Sequence, residues 1–113
     1  MELIDKEIPL NKLEKMSEKM FGDLVKAVVD VEKNIMVVDA ELHADEEAYL
    51  IKLGSEQKNL WGINLYPELF NSSDFIEYDS MINLRPNQNN KNRGVEDQEI
   101  QNKIKKIVNR LIK

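Results

Sequence analysis

The sequence predicts an α+β fold: an antiparallel sheet of four or five strands, in the order β-α-β-β-α-β-β-α, with helices packed on one side. Three observations carry this expectation. Val25, Ala27, Val28, Val29 and Val31 concentrate β-branched residues before the polar turn Glu32-Lys33-Asn34, and Ile35-Met36-Val37-Val38 resumes the run, which is the pattern of a hairpin. Residues 60–66 and 75–85 form a second pair of strand-like segments around a loop opened by Pro67. Apolar residues at three- and four-residue intervals mark helices before, between and after the two hairpins.

Leu3, Ile4 and Ile8 give residues 2–8 the character of a short edge strand. Pro9 opens a helix in which Leu10, Leu13, Met16, Ser17, Met20 and Phe21 recur at helical spacing until Gly22 and Asp23 stop it. After the first hairpin, Asp45, Glu46 and Glu47 occupy the first turn of a second helix, where the positive end of the dipole favours acids, and Gly54 ends it. Leu60 to Tyr66 is a strand halted by Pro67. In the long strand expected from Phe75 to Arg85, Ile76, Tyr78, Ser80, Ile82 and Leu84 face one way. Phe75, Glu77, Asp79, Met81, Asn83 and Arg85 face the other. Pairing Tyr66 near Phe75 sets Asn64 opposite Glu77 and Gly62 opposite Asp79, and gathers Trp61, Ile63 and Leu65 with Ile76, Tyr78 and Ser80 on an apolar face. A slip of one residue destroys that separation. Pro86 to Gly94 is a nine-residue loop with five Asn or Gln residues. The last helix runs from about Val95 to Leu111, with Ile100, Ile104, Ile107, Val108 and Leu111 as its buried stripe.

At 113 residues the chain is expected to form one domain, residues 1–113, with a core that needs no staple. Its 42% hydrophobic and 33% charged content fit a globular protein. The chain has no cysteine, which excludes disulfides, thiolate catalysis and cysteine-ligated metal sites. No apolar run approaches the ~20 residues of a membrane helix, and Met1-Glu2-Leu3-Ile4-Asp5 lacks the features of a signal peptide, so a soluble cytoplasmic protein is expected. The net charge of −5 is uneven: residues 1–60 carry 14 acids and 8 bases, the remainder 7 and 8. An acidic body argues against nonspecific nucleic-acid binding, which relies on a positive face. There is no glycine-rich phosphate loop, G-x-S-x-G elbow, H-E-x-x-H pair or RNA-binding signature.

The blocks His43-Ala44-Asp45, Leu60-Trp61-Gly62-Ile63-Asn64-Leu65-Tyr66-Pro67, Asp79-Ser80-Met81-Ile82-Asn83-Leu84-Arg85-Pro86 and Arg93-Gly94-Val95-Glu96-Asp97 resemble a family of short bacterial and archaeal proteins catalogued as a domain of unknown function. The resemblance covers most of the chain and implies a stand-alone, single-domain protein. It supplies no activity or catalytic residue. The amide-rich stretch Asn87–Asn92 departs from the family's expected pattern, which marks Asn89, Asn90 and Asn92 as poor choices for essential roles.

The strongest constellation is Glu77, Asp79, Asn83 and Arg85 on one strand face, with Asn64 and Tyr66 across the hairpin and Arg93 beyond the loop. Arg85 could take a carboxylate or phosphate bidentately while Asn64 and Asn83 set orientation, and the same residues also fit a solvated face with cross-strand ion pairs. His43, the only histidine, stands two residues before Asp45. The two could meet a magnesium or manganese ion with Asp79, or Asp45 could cap the helix with His43 packed beside it. Lys91, Arg93 and Gly94 before a helix suggest an anion site, opposed by Glu96 and Asp97 in its first turn. The expected function is a binding or regulatory module whose polar sheet face and 86–94 loop hold a small anionic ligand or a basic segment of a protein partner. The alternative is a metal-assisted hydrolase using His43, Asp45 and Asp79. No other cofactor and no membrane partner is expected, and a self-pairing sheet edge would allow a homodimer.

Overall fold

The computed structural model describes residues 1–113 and follows the expected order: β1 (Glu2–Ile4), α1 (Leu10–Lys19), β2 (Val25–Asp30), β3 (Ile35–Val38), α2 (His43–Lys52), β4 (Leu60–Leu65), β5 (Ile76–Glu77) and α3 (Gln98–Leu111). The strands form one antiparallel sheet in the order β1-β3-β2-β4-β5. No helix is long and apolar enough to cross a membrane.

Local chemistry sets the element ends. Asp30 Oδ1 accepts the N–H groups of Glu32 (2.9 Å) and Lys33 (3.0 Å), and Asn34 takes a left-handed φ of 60°, so the β2–β3 turn closes on a side chain. Gly54, at φ 104°, ends α2. The last helix starts three residues later than expected, because Asp97 caps it by accepting the Glu99 N–H at 2.9 Å.

The helices, expected on one side, divide between the two faces. Val25, Ala27 and Val29 of β2 pack with Leu13 and Met16 of α1 and with Ile104, Ile107 and Val108 of α3. Val28, on the opposite face, meets Leu50 of α2, together with Val37 and Leu60. The physical reason is that every residue of β4, and all of β2 except Lys26, is buried. Central strands with apolar side chains on both faces need a cover on each.

The strand expected over 75–85 stops after two paired residues. The register is the expected one, with Asn64 opposite Glu77, Leu65 opposite Ile76, and the Tyr66 N–H bonded to the Phe75 carbonyl at 2.9 Å. Gly62 does not pair with Asp79. Instead the Asp79 N–H returns to the Glu77 carbonyl (3.2 Å), and the chain crosses β4 at Gly62. A Cβ on Gly62 would lie 2.5 Å from Ser80 Cβ, so this crossing exists because Gly62 has no side chain. Ser80 Oγ then accepts the Ile82 N–H and opens a 3-10 turn over Met81–Asn83, followed by another over Pro86–Gln88. Inside and outside are exchanged as a result. Asn83 (0% exposed) and Arg85 (8%) are buried, while Leu84 is exposed.

Candidate functional site

The outward-facing backbone of β4 has strand partners only as far as Asn64, and side chains close the rest. Asn83 Oδ1 accepts the Gly62 N–H at 2.8 Å, and its Nδ2 donates to the carbonyls of Gly62 (2.9 Å) and Arg93 (3.0 Å). One amide thus reproduces the two hydrogen bonds a neighbouring strand would make. Arg85 continues the seal: Nη2 donates to the Leu60 carbonyl, Nε to Ile82 (2.9 Å), and the guanidinium lies 4.8 Å from the Trp61 ring centroid. Burial lowers the Arg85 pKa, with Glu47, 3.6 Å away, opposing the shift. Asn83 and Arg85, expected to face a ligand, are therefore committed to the sheet edge. A buried backbone carbonyl or N–H needs a partner more than the surface needs another polar group.

The 86–94 loop is scaffold as well. Asn90, expected to be dispensable, is buried. It donates to the carbonyls of Asn83 (2.7 Å) and Gly94 (2.7 Å) and accepts the Glu96 N–H at 2.8 Å. Glu96 in turn accepts the Lys91 N–H at 2.6 Å. The backbone donors that an anion would have used are held by the protein's own side chains.

Asn64, Tyr66, Glu77, Asp79 and Arg93 do come together. Glu77 Oε1 accepts from Asn64 Nδ2 (2.8 Å) and from the Tyr66 hydroxyl (2.9 Å), and Arg93 Nε lies 2.8 Å from Asp79 Oδ1. Burial and the Glu77 hydrogen bond push the Tyr66 hydroxyl up to about 12. Asn64 is 7% exposed, and its Oδ1 is buried without a donor. Lys26, overlooked in the sequence, pairs across β2–β4 with Asn64 and so shares its face, with its Nζ 5.4 Å from the Phe21 ring centroid. The sign of it was a lone charge inside the apolar run of β2.

His43 lies beside this cluster and Asp45 does not. His43, the first residue of α2, is 7% exposed, and its Nε2 is 2.8 Å from the Ile63 carbonyl, which makes Nε2 the protonated nitrogen. Burial lowers its pKa; the Ile63 bond and Asp79 oppose the shift, while Lys26 and Arg93 add to it. Two residues along a helix turn the direction by roughly 200°, and Asp45 is exposed among Asp39, Tyr49 and Lys52. Asp45 does not cap α2 either, because the cap position is Leu42. No group of three or more His, Asp or Glu side chains is placed to hold a metal ion.

The candidate site is thus one face of the β4–β5 hairpin, a cluster of carboxylates, amide, phenol and two cations resting on backbone that Asn83 and Arg85 hold in place. No curated protein and no solved structure matches the chain. A family model described as "Protein of unknown function (DUF5674)" matches residues 2–111, and the chain belongs to that family.

Proposed function

We propose that the protein is a small binding module that recognises a basic segment of a partner protein through the polar face of the β4–β5 hairpin. One observation carries the reading: the neutral donors of the cluster turn inward onto Glu77, and Glu77 and Asp79 each keep a second oxygen. The Tyr66 hydroxyl and the Asn64 amide both go to Glu77, and Arg93 Nε goes to Asp79. The second oxygen of Glu77, the second oxygen of Asp79 and the lone pairs of Tyr66 are left to accept, with the two Arg93 Nη groups and Lys26 Nζ as the donors that remain. A lysine or arginine from outside complements such a surface. An anionic ligand on this face has less to recommend it, since Arg85 is buried under Trp61 and Leu60. The reading takes the cytoplasm as its setting, because a chain without cysteine makes no use of an oxidising compartment.

The test is fluorescence anisotropy with a labelled Lys/Arg-rich peptide and an acidic peptide of equal length. The basic peptide should bind, more weakly as salt rises. Glu77→Gln keeps an oxygen for Asn64 and Tyr66 but removes the charge, and should weaken binding roughly three- to tenfold with the melting temperature unchanged. Equal binding of the acidic peptide, or indifference to Glu77→Gln, defeats the proposal.

A further inference from the structure

On the other face of the same hairpin, the 70–78 segment and α3 enclose a groove of about 690 Å³, within the usual range for small-molecule sites. The chain carries 21 Asp and Glu residues, yet no acidic side chain lines this groove. Its α3 wall is an amide stripe at helical spacing: Gln98, Gln101, Asn102 and Asn109, with Lys105 among them. The opposite wall is held in shape by local contacts. Phe70 and Phe75 meet edge to face at 5.2 Å, Ser72 donates to the Leu69 carbonyl at 2.7 Å, and the Tyr78 hydroxyl reaches across to the Gln101 carbonyl at 3.4 Å. Ile76 and Tyr78 belong to this side by strand alternation, whereas Glu77 belongs to the polar face described above.

We infer that this groove is a second binding site, for a small hydroxyl-rich anion such as a sugar phosphate or a sugar acid. Lys105 has no carboxylate within 4.0 Å, so its charge is uncommitted. The side chains of Asn71 and Asn109 make no hydrogen bond within the protein and offer both donors and acceptors, the pairing that hydroxyl groups need. Ser73 adds a hydroxyl, and the Phe70–Phe75 pair supplies an apolar wall for the carbon skeleton. The site uses none of the residues proposed for the basic segment, so either proposal can fail alone.

The experiment is a titration of the intact protein with hexose and pentose phosphates, hexuronates, the neutral sugars and inorganic phosphate, followed by melting temperature and by backbone amide shifts in NMR. A sugar phosphate or a sugar acid should raise the melting temperature by roughly 4 °C or more near saturation and should move the amides of Asn102, Lys105 and Asn109. Which of the two responds identifies the anionic group. Lys105→Glu, a change at an exposed helix position, should abolish the response at least tenfold without altering the melting temperature of the free protein or its binding of the basic peptide. Asn109→Leu should weaken the sugar phosphate more than it weakens inorganic phosphate. The inference is overturned by no response to any sugar anion, by inorganic phosphate or a neutral sugar acting equally well, or by a response that survives Lys105→Glu.

Discussion

Gly62 sits where two demands meet, and each can be tested by one substitution. Its N–H and carbonyl face away from β2 toward an edge with no strand, and Asn83 satisfies both. Asn83→Ala leaves these two groups without their partner, while the Arg93 carbonyl keeps the Ser80 N–H. Unpaired buried polar groups cost about 1–3 kcal/mol each, and water entering the gap returns part of that. We expect urea unfolding at pH 7 to show a loss of about 2–4 kcal/mol; a loss below about 1 kcal/mol would mean the amide is not holding the edge. Gly62 also admits Ser80, whose Cβ and Oγ lie 2.5 and 2.6 Å from the position of an added Cβ. Gly62→Ala should therefore cost about 1–3 kcal/mol. Ser80→Gly, which clears both atoms, should recover a good part of that in the double mutant, and purely additive effects would argue against the close approach.

At the scale of elements, β5 and the 78–94 segment behave as one edge built in two ways, first by backbone and then by side chains. Hydrogen exchange separates them. The Gly62 amide should be as protected as its neighbours in β4 although no strand lies beside it. Asn83→Ala should speed its exchange selectively and leave the Tyr66 amide, bonded to the Phe75 carbonyl, nearly unchanged. Selective loss identifies a local bond; uniform acceleration would mean that Asn83 acts only through global stability. The same boundary marks how far the sequence could be read. The hairpin register was legible because one slip would have mixed Trp61, Ile63 and Leu65 with polar partners. The end of the strand was not, because Ser80, Ile82 and Leu84 keep alternating after the chain has left the sheet. Nothing in an Asn-x-Arg spacing reveals that its side chains reach backbone atoms of β4. The second face of the sheet did leave a trace. Ala27-Val28-Val29 places apolar groups on both sides of β2, a pattern that calls for two covers. The buried side of α2 hid its role by carrying His43 and Glu46 beside Leu50.

For the whole molecule, Glu46 ties stability to pH. It is 0% exposed, its Oε2 accepts the Ala40 N–H at 3.2 Å, and its Oε1 has no partner. Burial pushes the carboxyl up to about 9, against the pull of the Ala40 bond, Lys26 and the N-terminal ammonium, with Asp39 adding to the rise. The unfolded chain releases this proton near 4.5, whereas the folded chain keeps it until about 9. The folded state therefore binds more protons throughout that interval, and its stability falls as pH rises through it. Below pH 6.5 His43 acts in the opposite sense: its folded pKa is lowered by burial, so the unfolded chain takes up the proton first and acid destabilises. Between pH 4.5 and 6.5 the two slopes oppose each other and largely cancel, so the stability maximum lies on the acid side of neutrality and Glu46 is the principal slope above pH 7. Between pH 7 and pH 9 the protein should lose about 2 kcal/mol, the slope flattening toward pH 9. Glu46→Gln keeps an acceptor for the Ala40 N–H but has nothing to titrate, so its unfolding free energy should be level over that range, and the loss of stability that His43 causes below pH 6.5 should emerge once Glu46 no longer offsets it. Urea unfolding at four or five pH values decides it. Parallel curves for the two proteins above pH 7 would show that the Glu46 carboxyl is already ionised in the fold, and that water or a cation reaches Oε1 beneath α2.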